Sequence, residues 1–108
     1  MFRALSDTVL VADRQIRPDD MEAVVAAGVA LIVNNRPDGE EPGQPTSAEI
    51  EAAVRAAGLD YRHIPVSGGI GPDQVAAVAA AMDEGKLLAF CRSGTRSTLL
   101  WALAARAN

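Results

Sequence analysis

Short apolar blocks alternate along this chain with longer segments in which apolar residues recur at helical spacing. The blocks are rich in Val, Leu and Ile, and a short continuous apolar run of this kind is typical of a buried strand. The predicted strands are Val9–Ala12, Leu31–Val33, Tyr61–Val66 and Leu87–Phe90. A further segment, Phe2–Leu5, is predicted to form a hairpin with the first of them, with its turn at Ser6 and Asp7.

The segments between the strands predict helices from their caps and their periodicity. The predicted helices begin at Pro18, at the capping box Thr46–Glu49, at Pro72 and at Ser97. The first is expected to carry Met21, Val24 and Val25 as its apolar positions. The last, which ends at Arg106, is expected to pack through Leu99, Leu100, Trp101 and Leu103.

This order of elements predicts the fold class. Strands separated by helices of about ten residues are joined by right-handed crossovers, which give a parallel sheet covered on both faces. A chain of 108 residues has room for one such unit. We therefore expect a single domain over residues 1–108, an α/β fold with three α/β/α layers around a mainly parallel sheet of four to five strands.

Charge excludes two classes of partner. The net charge is −4, whereas nucleic acids and anionic membranes both require an electropositive face. The apolar runs are also far shorter than the roughly 20 residues that span a bilayer. We expect neither a nucleic acid nor a membrane partner.

Cysteine and histidine are scarce. The chain has one cysteine, Cys91, and one histidine, His63, which is too few for an internal disulfide or a structural zinc site. We expect no metal and no other cofactor. The first residues lack the basic and then apolar pattern of a secretory signal, so a reducing compartment, the cytoplasm, is predicted.

One heptapeptide carries the chemistry. Between the last predicted strand and the last predicted helix the chain reads CRSGTRS, which comprises Cys91, Arg92, Ser93, Gly94, Thr95, Arg96 and Ser97. In a parallel α/β sheet ligands bind at this carboxyl edge, and small residues around a glycine let successive amides point at an anion. Amides and guanidinium groups stabilise a thiolate. We predict a thiolate nucleophile in an oxyanion cradle, with Arg96 binding the anion in bidentate fashion.

The chain also resembles a known family. CRSGTRS, NNRPDGEEPGQP at Asn34–Pro45 and YRHIPV at Tyr61–Val66 are similar to the bacterial beta-lactamase hydrolase-like phosphatase-like domain, or DUF442. That family is grouped with the protein tyrosine and dual-specificity phosphatases, and some of its members have been named sulfurtransferases. The resemblance implies a protein tyrosine phosphatase-like fold with Cys91 as nucleophile. It also implies a cradle containing Arg96 and a role for Ser97 in breaking down a phosphocysteine intermediate.

The loop departs from the tyrosine phosphatase pattern. Those enzymes carry His-Cys-X5-Arg, whereas Phe90 precedes the cysteine here, Arg96 follows it by five positions and Ser97 occupies the sixth. Such a loop is also common in rhodanese sulfurtransferases, whose thiolate carries a persulfide. Rhodaneses add a strand and a helix after that loop, for which a chain ending at Asn108 leaves no room.

Three functions remain open at this point. We expect a cysteine-dependent phosphatase-like hydrolase. A rhodanese-like sulfurtransferase or persulfide carrier is the alternative, and a non-catalytic oxyanion-binding module is the third. The expected partner is a small anionic substrate, either a phosphate ester or a sulfane sulfur donor.

A phosphatase also needs a general acid for its leaving group. In related dual-specificity enzymes an aspartate follows the strand that Tyr61–Val66 resembles, but the matching position here is close to Gly68, which cannot serve. Asp73 is the nearest substitute, although an acid at a helix start has a structural explanation as well. The other carboxylates available are Asp38, Glu40 and Glu41 in the predicted loop Pro37–Pro45.

Two more side chains are singled out by their positions. Arg36 follows the strand Leu31–Val33 and is expected at the same sheet edge as Cys91, where it either contacts the anion or forms a surface salt bridge. His63 lies within a predicted strand, which favours a structural imidazole over a catalytic one.

Overall fold

The computed structural model, which describes residues 1–107, contains one five-stranded sheet. Its strands are β1 (Phe2–Ala4), β2 (Val9–Ala12), β3 (Leu31–Asn34), β4 (Asp60–His63) and β5 (Leu87–Phe90). They lie in the order β1-β2-β5-β3-β4. β1 and β2 form the predicted antiparallel hairpin, and the other neighbours are parallel.

Helices cover both faces of this sheet. They are α1 (Met21–Ala26), which follows a 3-10 turn at Pro18–Asp20, α2 (Ser47–Ala56), α3 (Pro72–Met82) and α4 (Thr95–Ala107). Apolar residues of α1 and α2 pack on one face of the sheet and those of α3 and α4 on the other. The α/β/α prediction is therefore confirmed. In the described part of the chain, no helix is both long and apolar enough to cross a bilayer.

The start of α2 follows from its sequence. The Thr46 hydroxyl accepts a hydrogen bond from the Glu49 backbone N–H at 3.2 Å, and the Glu49 carboxylate accepts one from the Thr46 backbone N–H at 3.2 Å. This reciprocal capping satisfies donors that the first turn leaves unpaired. The helix then buries Ile50 and Val54 completely against the sheet.

Several predicted boundaries shift by one to three residues, two of them beside the site. β4 ends at His63 and not at Val66. The N–H groups of Ile64 and Val66 still donate to Asn34 O and Asn35 O, at 2.8 and 3.0 Å, but these acceptors are consecutive residues, so the regular alternation of a parallel ladder stops there. α4 begins at Thr95 and not at Ser97. Its first turn is closed by Thr98, whose N–H donates to Gly94 O at 3.0 Å.

Three residues predicted to pack are exposed instead. Val25 of the short helix α1 has 48% of its surface exposed, and Leu99 and Leu103 have 52% and 40%. Residues four apart share a face of a helix. On α4 the buried face belongs to Leu100 and to Ala104, which lies four residues later, so the pair one position earlier points to solvent.

The register of the sheet places the site. β3 and β5 are parallel neighbours in which Asn34 aligns with Phe90. The Asn35 N–H then donates to Phe90 O at 2.8 Å, which extends the pairing past the end of β3. Residues after β3 and after β5 therefore meet at one carboxyl edge, where Arg36 and Cys91 lie.

Candidate active site

The loop after β5 curls around the sulfur of Cys91. The Gly94 backbone N–H donates a hydrogen bond to the Cys91 Sγ at 3.1 Å. Gly94 has φ +94°, and a Cβ at this position would lie 2.8 Å from Ala12 O at the end of β2. Only glycine fits both the backbone conformation and the space. The glycine in CRSGTRS thus allows the loop to close beneath the thiol.

The Cys91 thiol is buried, and its pKa is nevertheless lowered. The Cys91 residue is 1% exposed. Burial raises the pKa of Cys91, but hydrogen bonds from the backbone N–H groups of Ser97, Ser93 and Gly94 outweigh it and leave the pKa below its ordinary value. Donors aimed at the sulfur therefore dominate its ionisation, as a nucleophilic cysteine requires.

A buried polar network connects this loop to the neighbouring strands. The Ser97 hydroxyl in the first turn of α4 donates to Asn35 Oδ1 at 2.7 Å. The Asn35 amide donates in turn to Ile64 O at 3.0 Å. Both polar side chains are almost fully buried, so their hydrogen bonds fix α4 relative to β3 and β4.

Arg96 is partly buried and binds a carboxylate. Its guanidinium donates to both oxygens of Glu40, at 2.7 and 2.8 Å, and to Val66 O at 2.9 Å. The hydrogen bonds to Glu40 raise the pKa of Arg96, and the nearby Cys91 sulfur adds to the rise. The guanidinium therefore lies close to both the Cys91 sulfur and the acidic loop.

Glu40 is shared between two arginines. Its Oε1 also accepts a hydrogen bond from Arg36 Nε at 2.9 Å. The hydrogen bonds from Arg96 and Arg36 lower the pKa of Glu40 to about 2 against the opposing effect of burial. Glu40 is consequently ionised at neutral pH, and in this arrangement it cannot donate a proton to a leaving group.

Arg36 is buried, with its residue 1% exposed. In addition to Glu40 it contacts Gln15, whose Oε1 accepts from Arg36 Nη1 at 2.9 Å, and Glu41, whose Oε1 lies 3.0 Å from Nη2. Arg36 therefore forms the salt bridges considered for it, with Glu40 and Glu41, although its own side chain is buried and only the carboxylates reach the surface. Its contact with an anion stays a prediction. The sheet edge does bring Arg36 to the cysteine loop, as predicted.

Three hollows surround the loop. A polar cavity of about 380 Å³ is lined by Arg36, Glu40, Glu41, Arg92 and Arg96. An apolar groove of about 540 Å³ also reaches Arg96 and runs along α4 past Leu103 to Arg106. A third hollow, of about 350 Å³, is lined in part by Ser93, Gly94 and Thr95. Cys91 lies beneath these surfaces and lines none of them.

The remaining predicted residues lie farther from the anion site. Asp73 is exposed in the first turn of α3 and does not line any of the three hollows, so its role as general acid stays a prediction. Asp38 accepts a hydrogen bond from the Ser47 N–H at 2.7 Å, at the start of α2. His63 Nε2 lies 2.9 Å from Arg36 O, which is a structural contact. Within residues 1–107 no three His, Cys, Asp or Glu side chains cluster to bind a metal.

Two residues of the site were not predicted from the sequence. Asn35 links Ser97 to β4, and its signal was the pair of asparagines directly after a buried strand. Gln15 holds Arg36 from the loop after β2. No local pattern marks Gln15, because its contact depends on a residue 21 positions away.

Proteins of similar sequence occur in bacteria. The chain is 44% identical over 87 residues to a beta-lactamase hydrolase-like protein of Agrobacterium fabrum, covering 78% of this chain and 20% of that protein. It is 41% identical over 97 residues to a beta-lactamase hydrolase-like protein of Xylella fastidiosa strain Temecula1, covering 87% of this chain and 22% of that protein. The chain thus spans about a fifth of the length of these relatives.

Solved structures share the fold. A protein of Neisseria meningitidis described as a candidate phosphatase superposes with a TM-score of 0.82 at 32% identity, covering 91% of this chain and 71% of that one. The core catalytic domain of a PP-IP phosphatase from S. cerevisiae superposes with a TM-score of 0.66 at 14% identity, covering 86% and 57%, which shows the fold alone. The architecture is that of the protein tyrosine phosphatase-like phosphatases.

The family described as "Beta-lactamase hydrolase-like protein, phosphatase-like domain" matches residues 1–108. The match covers the elements that build the site, from the β1–β2 hairpin to α4. This chain therefore belongs to the family of phosphatase-like domains of beta-lactamase hydrolase-like proteins.

Proposed function

We propose that this phosphatase-like domain hydrolyses phosphate monoesters with Cys91 as the nucleophile. The observation that carries the proposal is the hydrogen bond from Gly94 N–H to the Cys91 sulfur, within a loop whose amides lower the thiol pKa. Arg96 beside the sulfur supplies the planar pair of donors that binds two oxygens of a phosphoryl group. A thiolate next to an anion cradle supports nucleophilic displacement at phosphorus.

The reaction has two steps. The Cys91 thiolate attacks phosphorus and forms an S–P bond while the ester P–O bond breaks, and the leaving alkoxide takes a proton. Water then attacks the phosphocysteine, breaks the S–P bond and releases inorganic phosphate with the thiolate restored. Arg96 and the loop amides bind the equatorial oxygens in both steps and stabilise charge that develops there.

Other residues of the loop have supporting roles in this proposal. The Ser97 hydroxyl, which donates to Asn35 in the resting structure, assists breakdown of the phosphocysteine after rotating toward it. The backbone amides of Arg92, Ser93, Gly94 and Thr95 contribute to the cradle.

Asp73 is our proposed general acid. It is the first carboxylate after residues 68–70, which line the groove beside Arg96. Glu40 is a poor donor because its pKa is about 2. An Asp73→Asn variant should lose more activity toward an alkyl phosphate than toward an aryl phosphate, because a poor leaving group depends more on protonation. Equal losses on both substrates would remove Asp73 from this role.

A second function is favoured by the length of the loop. Arg96 follows Cys91 by five positions, one fewer than in the tyrosine phosphatase pattern, and this spacing is common in rhodaneses. In that reaction the thiolate attacks the outer sulfur of thiosulfate, sulfite leaves, and a cysteine persulfide forms. Cyanide then removes the terminal sulfur as thiocyanate and restores the thiolate.

One paired experiment separates these reactions. Wild-type protein and Cys91→Ser are assayed with an aryl phosphate and with thiosulfate plus cyanide. We expect phosphate release that disappears in Cys91→Ser. Phosphate release that persists in the variant contradicts the mechanism, whereas thiocyanate formation that needs Cys91 supports the sulfurtransferase. If neither reaction depends on Cys91 while sulfate still binds, the domain is an oxyanion-binding module.

A further inference from the structure

The polar cavity over the cysteine loop contains more positive charge than a single phosphoryl group requires. Arg36, Arg92 and Arg96 all line it. Arg96, which lies near the Cys91 sulfur, suffices to bind the group under attack. The other two guanidinium groups can serve a second anionic group, Arg92 directly and Arg36 once a ligand displaces the carboxylates of Glu40 and Glu41.

Of these two residues, Arg36 gives the stronger evidence for a second anionic group. Its residue is 1% exposed, and its Nη2 makes no hydrogen bond within residues 1–107 although Glu41 Oε1 lies 3.0 Å away. A buried cationic donor that lacks a well-aligned acceptor is costly, so its retention at a cavity wall requires a reason. An anionic ligand oxygen aligned with Nη2 would satisfy it.

Arg92 is the complementary group. It is exposed at the opposite end of the loop segment from Arg96 and lines the same cavity. No other side chain of the described residues pairs with its guanidinium. Arg92 can therefore donate to a ligand in the cavity that Arg36 also lines.

The spacing of the arginines limits the size of the ligand. Glu40 Oε1 accepts hydrogen bonds from Arg36 Nε at 2.9 Å and from Arg96 Nη2 at 2.8 Å. The two nitrogens are therefore less than about 6 Å apart, since one oxygen bridges them at hydrogen-bond distance. One anionic group can bridge these two nitrogens, as Glu40 does, and the second group is indicated by Glu41, whose Oε1 lies 3.0 Å from Arg36 Nη2. A ligand that replaces both carboxylates therefore carries two adjacent anionic groups.

We propose that Arg36 and Arg92 form a second anion subsite and that the substrate class is a diphosphate, with one phosphoryl group at Cys91 and Arg96 and the next at this subsite. The inference rests on the proposed function for the identity of the reacting group. Glu40 and Glu41 occupy the arginines in the resting structure, and the diphosphate displaces both carboxylates.

The test measures binding without turnover. Calorimetric titrations of the Cys91→Ser protein with inorganic pyrophosphate and with orthophosphate, at matched ionic strength, give the ratio of the two dissociation constants. We expect pyrophosphate to bind at least tenfold more tightly, because it gains charge-assisted hydrogen bonds at the second subsite. Equal affinities would overturn the proposal.

Substitutions then locate the preference. In the same background Arg92→Gln should reduce the ratio several-fold, whereas Arg106→Gln, which removes an arginine outside the polar cavity, should leave it unchanged. If Arg92 serves the first phosphoryl group only, Arg92→Gln weakens both ligands equally and the unchanged ratio refutes the subsite. An equal fall in Arg106→Gln would assign the preference to net charge and would also refute it.

Arg36 requires a variant that keeps its charge. Arg36→Gln leaves Glu40 and Glu41 without a buried partner and is expected to unfold at a lower temperature, so Arg36→Lys is used beside it. The lysine cannot reproduce the planar set of donors, so we expect it to lower the pyrophosphate preference in a folded protein. A folded Arg36→Lys protein with the wild-type ratio would overturn the role of Arg36.

These measurements do not depend on catalysis. If the aryl phosphate assay fails but the pyrophosphate preference depends on Arg92, the subsite stands and the proposed hydrolysis is wrong. If Cys91-dependent hydrolysis is found without a pyrophosphate preference, the hydrolase stands and the second subsite is wrong.

Discussion

Arg96 donates two parallel hydrogen bonds to the Glu40 carboxylate, at 2.7 and 2.8 Å, and so holds an acid 56 positions earlier in the chain. Arginine binds phosphate through the same planar pair of donors. Glu40 belongs to the loop between β3 and α2, so this loop places its own anion on the donors that the proposed reaction assigns to the substrate. If that proposal holds, loop and substrate compete for Arg96.

Replacing Glu40 by Gln should strengthen anion binding. The variant removes a negative charge beside Arg96 and Arg36 and frees the paired donors of Arg96. In the Cys91→Ser background we expect the orthophosphate dissociation constant to fall by roughly three- to tenfold, which corresponds to about 1 kcal/mol. Titration calorimetry at low salt measures it.

Glu51→Gln is the matched control, because it removes the same charge from an exposed ion pair with Arg55 on α2. It should leave the constant unchanged. Weaker binding in Glu40→Gln would instead show that Glu40 orients Arg96 for the ligand and does not compete with it.

The same carboxylate makes stability depend on acid pH. The pKa of Glu40 is depressed in the folded chain from 4.5 to about 2, so the folded state favours the ionised form. Its contribution is complete above the unfolded pKa and is lost as pH falls from about 4.5 toward 2. The free energy of unfolding, measured with urea, should therefore fall more steeply for the wild type than for Glu40→Gln as the pH drops across this range. Parallel curves for the two proteins would contradict the depressed pKa.

Much of the fold could be predicted from the sequence because hydrophobic pattern, helix caps and turn residues indicated the same elements. The apolar blocks gave each strand, and the reciprocal cap at Thr46 and Glu49 gave the start of α2. Predictions were wrong where an outcome depended on distant packing. Leu99 and Leu100 are indistinguishable by composition, and only the direction from which the sheet approaches α4 decides which of them is buried.

The site divides in the same way. Cys91, Gly94 and Arg96 belong to one short motif whose geometry is local, so the curled loop around the sulfur could be predicted from the sequence. Its role as an anion cradle stays a prediction. The partners of the arginines are non-local. Glu40 was considered only as a proton donor, and its ion pairs with Arg36 and Arg96 appear once three separate segments fold together.

The pKa of the Cys91 thiol should lie below its ordinary value. The loop amides place the pKa of Cys91 below its ordinary value despite burial. Because the chain has one cysteine, the thiolate absorbance of wild type minus that of Cys91→Ser reports this group alone. We expect the midpoint to lie below that of the same thiol in the protein unfolded in urea.

Stability should follow from the same shift. A folded pKa below the unfolded value adds stability that is present above the unfolded pKa and is lost as pH falls through the folded one. The wild type should therefore gain stability relative to Cys91→Ser as the pH rises from the folded pKa of Cys91 to its unfolded pKa. A midpoint at or above that of the unfolded protein would mean that burial dominates and that the loop does not activate the sulfur.

Gly94 provides the most direct test of the cradle geometry. A Gly94→Ala substitution must accept φ +94° and bring its Cβ to 2.8 Å from Ala12 O, where the backbone of β2 cannot move away cheaply. Gly58→Ala is the matched control, since it has φ +84° with no atom within 4 Å of the added carbon.

The Gly58→Ala control should lose about 1 kcal/mol of unfolding free energy from backbone strain alone. Gly94→Ala should lose about 2–4 kcal/mol, because steric overlap is added to the strain, and should lose orthophosphate binding as the Gly94 N–H moves off the sulfur. Urea unfolding and calorimetry measure the two effects, and equal losses of stability in the two variants would show that β2 does not constrain the loop.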